Sequence, residues 1–388
     1  MAAQKLFPVQ EIGSLMKPAW RVKSVAGKAL SDKDVAEAEQ WGKRIGVDTT
    51  RLLPLLRKGT WTDAEKKEIV DASALFGIRY LEAAGLDIVY DGEQRRSEMY
   101  QAAVEHIEGF NFLGSVRSFD NKYYLKAAVV QKPRLKAPYH VEEAQFIRAN
   151  TQREFKVPIT GAFTIADWSF NEHYLGKVPA KDRYGAKARK QATRDLVVEV
   201  ARTALRPTIQ ALLKAGANRI QIDEPAAATK PDQVDLMVEG FNEAVKGLQG
   251  RFSLHYCFSN YRQFYPAVLE LENCAEYAME LANRDAPGPG TSLEQRPGLA
   301  TMLELMKEYD DPCDLGVGVV DVHVDNLETP EVIRDRLLTA AKVLGPERVL
   351  ANPDCGLRTR SWEVAFAKLQ NTSKGAALAR KAWAEGKA

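Results

Sequence analysis

No stretch of this chain approaches the roughly 20 consecutive apolar residues that a bilayer-spanning helix needs, so no such helix is expected. Residues 1–10 lack the apolar core of a secretory leader. Four cysteines in 388 residues are too few for a disulfide framework. They point to a reducing, cytoplasmic setting and leave the thiols for metal or for packing. Charge of one sign is also missing: 54 Lys and Arg face 52 Asp and Glu, a net +2 that gives no general attraction to nucleic acid or a membrane surface. No glycine-rich phosphate loop follows any predicted strand, and no internal repeat or low-complexity linker is present. What remains is an ordinary globular composition, 45% hydrophobic and 27% charged.

At 388 residues the chain could form one large domain or two. Its rhythm argues for one. Apolar runs predict strands at 9–14, 86–93, 157–163, 219–223, 252–258, 276–281, 315–322 and 349–352. Helical patterns fall between them. Two helices, 31–45 and 61–84, with Ser31 and Thr62 as N-caps, separate the first two strands. Further helices are predicted at 140–152, 191–215, 231–248, 261–271, 298–309, 330–344 and from Ser361 onward. Eight strands each followed by helix imply an α/β fold with a parallel sheet, closed as a (β/α)8 TIM barrel that takes in residues 1–388 as a single domain. An open doubly wound sheet is the second choice. Segments 116–119 and 123–130 flank Asp120-Asn121-Lys122 and read as a β-hairpin, an excursion from the barrel near residues 114–135. The basic segment 174–190 reads as a solvated face rather than a lid over an anionic ligand.

Chemistry in such a barrel collects where strands end. His255 and Cys257, two apart on one predicted strand, face the same way, as a packed pair or as half of a zinc site. Glu280 stands at the functional end of the next strand, whereas Glu276 shares its face further back; an ion pair with Arg284 is the plain alternative for Glu280. Cys355 follows the last strand, while Cys274 and Cys313 precede theirs and belong to packing at the opposite end. His, Cys, Glu and Cys suit tetrahedral Zn²⁺. A zinc ion carrying two thiolates activates water poorly, yet it can hold a substrate thiol as thiolate. That makes a sulfur nucleophile and suits alkyl transfer to a thiol. Glu93 and Asp223 could then take a substrate ammonium group, or else pair with Arg95, Arg96 or Arg219. Backbone N–H groups at Ile12-Gly13-Ser14 could take a carboxylate, Gly13 permitting close approach. His323 is a proton donor or a structural histidine.

In order and spacing, several motifs together resemble the catalytic domain of cobalamin-independent methionine synthase. They are Ile12-Gly13-Ser14, Gly92-Glu93, Trp168-Ser169-Phe170, Gln221-Ile222-Asp223-Glu224-Pro225, His255-x-Cys257-x-Ser259, Asp321-x-His323 and Asn352-Pro353-Asp354-Cys355-Gly356-Leu357. The resemblance runs from about residue 11 to about residue 360. It implies that His255, Cys257, Glu280 and Cys355 bind zinc and that Ser14, Glu93 and Asp223 hold homocysteine. It also implies that Trp168 lies against a folate and that His323 relays a proton. The implied reaction makes methionine, with methyltetrahydrofolate or a methylcorrinoid protein as donor. Full-length members carry an additional N-terminal barrel, for which this chain leaves no room. Asp91 and Arg95-Arg96-Ser97-Glu98-Met99 depart from the family pattern of His and of Glu-Arg-Asn-Asp-Met, both on the donor side. Coenzyme M as acceptor is a second reading, disfavoured because it has no amine for Glu93 and Asp223. A metal-free hydrolase pairing Glu93 with Glu224 is a third. A binding protein with a structural zinc is a fourth, made less apt by a glutamate ligand.

Overall fold

The structure is a computed structural model that describes residues 5–117, 123–257 and 260–387. The predicted turn at Asp120-Asn121-Lys122 lies outside the described residues, as do Phe258 and Ser259.

Seven strands form one parallel sheet, and an antiparallel pair stands apart from it. In chain order they are β1 (Ile88–Val89), β2 (Ile107–Arg117), β3 (Tyr123–Leu135), β4 (Glu154–Thr160), β5 (Arg219–Asp223), β6 (Arg251–Tyr256), β7 (Cys274–Met279), β8 (Asp314–Val320) and β9 (Val349–Pro353). The sheet runs β1-β4-β5-β6-β7-β8-β9, so, apart from the step from β1 to β4 over the antiparallel pair, each strand lies beside the next one in sequence. Both edges reach the same segment. Val9 bridges Ala351 of β9, and Gln10 bridges Ile88 of β1. The hydrogen bonds are Gln10 N–H to the Ala351 carbonyl (2.9 Å) and Ile88 N–H to the Val9 carbonyl (3.1 Å). The sheet is therefore curled until its ends flank one short piece of chain. Its strands are mostly buried, as parallel strands covered by helices must be, and their apolar side chains are interrupted by buried polar ones such as Lys156, Gln221 and Glu276.

Several expected elements changed type or length. The predicted strand 9–14 shrinks to the two bridging residues, and 86–93 to Ile88–Val89. Beyond them the chain turns to carry polar side chains. The segment expected to extend from β4 through Phe163 instead forms the helix Ala162–Asp167. The 261–271 helix is replaced by two short 3-10 turns, Tyr261–Gln263 and Ala267–Glu270, because Pro266 interrupts it and offers no N–H. The 191–215 helix begins earlier, as Ala186–Val200, and passes through a wide π turn at Ala201–Leu205 before Arg206–Lys214. Pro207 accounts for the wide turn, since its ring clashes with the carbonyl four residues back and it cannot donate to it. The antiparallel pair begins at Ile107, seven residues before the expected excursion. Most of the basic segment between Tyr174 and Lys190 is exposed.

Ser31 with Asp34, and Thr62 with Glu65, form reciprocal capping boxes on the helices Asp32–Ile45 and Asp63–Ala83. Those helices meet the C-terminal helix Trp362–Ala384 through aromatic rings. Trp362 lies edge-on to Trp41 at 5.2 Å and to Tyr80 at 4.7 Å. Its indole N–H donates to the Met16 carbonyl at 2.7 Å, and its own carbonyl accepts from the Tyr80 hydroxyl at 2.6 Å. The cluster clamps the last helix and the loop after Val9–Gln10 onto the sheet. Trp362→Ala is expected to lower unfolding free energy by about 3–5 kcal/mol, read from urea denaturation. A loss no larger than the ~0.5 kcal/mol of an ordinary surface change would contradict the clamp.

Candidate active site

The site is built where the strands of the sheet end. His255 is next to last in β6, and Cys257 follows that strand. Cys355 sits in the loop after β9, brought in by its neighbour: the Asp354 carboxylate accepts backbone N–H groups of Leu281, Ala282 and Asn283, each at 2.8 Å. Burial pushes the Asp354 carboxyl up to about 8, and these donors oppose the shift. Asp354 thus ties the Cys355 loop to the loop that carries Glu280. Gly356 and Gly13 make the next contact. A Cβ on Gly13 would stand 3.1 Å from the Gly356 Cα, and one on Gly356 would stand 2.8 Å from the Ser14 nitrogen. Only glycine lets the two loops touch.

The two sulfurs are 3.9 Å apart, too far for a disulfide. With the His255 ring nitrogen they form a group whose ligand atoms lie within 4.8 Å of one another. His255 Nδ1 is 2.8 Å from the Ala278 carbonyl, so it carries a proton and donates, leaving Nε2 to face the thiols. Nε2 is buried and has no well-formed hydrogen bond. Two sulfurs bound to one zinc at tetrahedral angles lie about 3.8 Å apart, from the usual 2.3 Å bond. The observed spacing, the donor set and the orphaned nitrogen all fit that ion. The Cys355 thiol is held well below the usual range, first by the Cys257 thiol and then by His255, while Cys257 is pushed up by the same contact. Burial works against charge on His255, yet the Cys355 sulfur keeps it up at about 9.

Glu280 does not join this group. It is fully buried beside it, with Asn283 Nδ2 donating to Oε1 and His323 Nε2 3.5 Å from the same oxygen. His323 is exposed, and its pKa is raised, chiefly by the hydrogen bond to Glu280. Its backbone N–H is fixed by Asp321 at 2.7 Å.

Across a cavity of about 190 Å³ stand Ser14, Glu93 and Asp223. The Ser14 hydroxyl donates to Glu93 Oε2. Glu93 has a left-handed φ of 58°, rare for a residue with a side chain, and Asp91 Oδ1 accepts its N–H at 2.8 Å. Arg96 lies 3.4 Å from Glu93 Oε1 while its other edge grips Glu143 at 2.5 and 3.0 Å. Burial pushes the Asp223 carboxyl up to about 7. Trp168 closes the mouth, stacked at 4.8 Å and 28° on Tyr124 of β3. The antiparallel pair is moored there by Val129 N–H to the Phe170 carbonyl (2.8 Å) and Phe170 N–H to the Ala127 carbonyl (2.9 Å).

Glu224, the carboxylate of the hydrolase reading, is absent from the cavity lining. It accepts from Phe163 N–H at 3.1 Å, and from Thr164 N–H and hydroxyl at 2.7 Å each. It caps the helix Ala162–Asp167, which is also why that helix forms. Cys313 donates to the Cys274 carbonyl at 3.1 Å, at the start of β7 and away from the site.

Residues 47–378 match the family described as cobalamin-independent synthase, catalytic domain. The chain belongs to this family. It is a methyltransferase. Among relatives, the methionine synthase of Thermoplasma volcanium is 37% identical over 318 residues, covering 79% of this chain and 87% of that protein. That of Saccharolobus solfataricus is 33% identical over 386 residues, covering 98% and 97%. A solved B12-independent methionine synthase from Shewanella sp. W3-18-1, in complex with selenomethionine, has a TM-score of 0.74 at 23% identity over 98% of this chain and 99% of that one. At that identity the likeness speaks for the fold.

Against this family background, the sequence reading passed over Asp354 as a loop anchor and Tyr124 as the partner of Trp168, each acting through a contact distant in sequence. It named Arg96 among the possible partners of Glu93 and Asp223, but not the grip on Glu143 that holds Arg96 in place. It also passed over Glu11, one residue before Ile12. The Glu11 carboxyl is fully buried, accepting from the Tyr90 hydroxyl and from Leu357 N–H at 3.3 Å. Burial raises it from an ordinary 4.5 to about 8. The folded chain therefore holds this proton more tightly than the unfolded one. The stability it confers is complete below pH 4.5 and is lost as pH rises through about 8. Glu11→Gln, which keeps the shape and cannot ionise, is expected to flatten that decline. Urea midpoints at pH 5, 6.5 and 8 test this: equal slopes for the two proteins would refute the assignment.

Proposed function

We propose that the chain is a zinc-dependent methyltransferase that transfers a methyl group to the thiolate of homocysteine, forming methionine, and that residues 1–388 constitute one (β/α)8 barrel closed by Val9 and Gln10. The observation that carries the reading is the His255, Cys257 and Cys355 group with its orphaned Nε2, set across a small cavity from Glu93 and Asp223. These three residues would hold zinc, and Glu280, buried beside them, would turn to it as a fourth, oxygen ligand. A bound zinc ion lowers the pKa of a thiol so that the substrate sulfur is ionised near neutral pH.

The remaining work falls to the chain itself. Glu93 and Asp223 take the ammonium of the amino acid, and Ser14 and Arg96 keep Glu93 turned toward it. The N–H groups of Gly13 and Ser14 receive its carboxylate. The methyl donor lies against Trp168, which Tyr124 supports from behind. The sulfur supplies the electron pair for the new S–C bond as the bond from donor to methyl breaks and its electrons stay with the donor. His323, poised by Glu280, delivers a proton where the departing donor needs one. Methyltetrahydrofolate and a methylcorrinoid protein both fit this scheme as donors. The acceptor end matches coenzyme M poorly, because that thiol leaves two buried carboxylates without an ammonium.

The test is methionine formation by zinc-replete protein given homocysteine, with methyltetrahydrofolate and methylcobalamin in separate reactions, beside metal analysis. Cys257→Ser and Cys355→Ser are each expected to lose zinc and to lose activity by more than the about 10–100-fold typical of an outer-shell partner. Full zinc and activity in both variants would sink the site assignment. Product from neither donor, with zinc bound, would sink the acceptor.

A further inference from the structure

Gln221 lies two residues before Asp223 on β5, so the two side chains point to the same face. It is 1% exposed, and all of its amide is used. Nε2 donates to the Ile12 carbonyl at 2.7 Å and to Asp223 Oδ1 at 2.7 Å. Oε1 accepts from Lys156 Nζ at 2.6 Å. These partners fix which way the amide faces. An ammonium only donates and a main-chain carbonyl only accepts, so the oxygen must meet Lys156 and the nitrogen must meet Ile12. Lys156 is itself buried and held from the other side by Gln10 Oε1 at 3.2 Å, while the Gln10 amide donates to Glu276. Gln221 is thus the top of a chain of polar groups rooted deep in the sheet.

Its two upper contacts join parts of the chain some two hundred residues apart. One is Asp223. The other is the Ile12–Gly13 peptide, and here planarity extends the effect. In a trans peptide the C=O and the following N–H point in opposite directions. Drawing the Ile12 carbonyl down to Gln221 therefore turns the Gly13 N–H up, away from Gln221, and Gly13 lines the cavity. Among the described residues, neither Gly13 nor Ser14 donates its N–H to a protein acceptor. Successive unpaired N–H groups make a concavity for an anion.

We infer that Gln221 is a positioning residue for the substrate's amino-acid end: one amide sets the spacing between the Asp223 carboxylate and the Gly13 N–H. It governs recognition of ammonium and carboxylate, and leaves the thiol and the methyl donor to other groups. This rests on the homocysteine reading above. It goes beyond it by assigning specificity to a residue that touches no substrate.

The test uses Gln221→Met, which keeps length and removes all three hydrogen bonds, and Gln221→Glu. The second keeps an oxygen toward Lys156 but presents another to Ile12 and Asp223. Both are expected to raise KM for homocysteine by at least about tenfold, the scale of a hydrogen bond to a charged group. Zinc content and KM for the methyl donor stay at wild-type values, and kcat stays within about twofold. An unchanged homocysteine KM in either zinc-loaded variant overturns the inference. So does an equal decline in kcat and in affinity for both substrates, since that is the signature of general loosening. If Gln221→Met fails to fold, Gln221→Glu, which keeps the buried lysine paired, carries the test. Wild-type protein that turns over no homocysteine refutes the parent reading instead, and the two failures are distinct.

Discussion

Two peptide groups, at Val9 and Gln10, hold the first strand of the sheet to the last. Everything at the site follows from that junction. Because the chain there bonds to Ala351 on one side and to Ile88 on the other, the residues after it emerge between the ends of β9 and β1. Ile12, Gly13 and Ser14 then lie against the Cys355–Gly356 loop, and Leu15 N–H reaches the Gly92 carbonyl at 3.1 Å. Three loops remote in sequence are packed edge to edge by main-chain contacts, before any side chain does chemistry.

The interior beneath them is unusually polar. Gln10, Lys156, Gln221 and Glu276 occupy positions that aliphatic side chains fill in most parallel sheets. Burying an amide or an ammonium without a partner costs several kcal/mol, so the arrangement is tolerable only because each group is met by another. Lys156 shows the residual strain of such burial: its pKa falls to about 8, with Glu276 and Glu11 opposing the fall. A network of this kind rewards one geometry and penalises its neighbours. That rigidity suits a site whose ligands must meet within a few tenths of an ångström.

Much of this was legible in the sequence, for identifiable reasons. Strands buried on both faces read as continuous apolar runs, so β4 to β9 fell within a few residues of their expected places. His255, Cys257 and Cys355 were conspicuous because residues of those types are scarce and stood at strand ends. What the sequence hid was long-range hydrogen bonding. The stretch Gly161-Ala162-Phe163 after β4 reads as a continuation of the strand, yet a carboxylate 60 residues later caps it into a helix. That same contact removed Glu224 from the list of acids available for chemistry. Glu280 was expected as the oxygen member of a four-ligand set. In the structure it keeps company with Asn283 and His323, beside the three close ligands rather than among them.

The antiparallel pair β2–β3 forms a sheet of its own and is tied to the segment after the helix Ala162–Asp167 through Phe170 and the Tyr124–Trp168 stack. Its register sets no other register in the molecule. Lengthening, shortening or recolouring that ribbon leaves the pairing of the seven parallel strands intact. Divergence at the mouth is therefore decoupled from divergence at the floor. Edits to this one appendage can reshape the mouth of the cavity while the parallel sheet beneath it keeps its pairing.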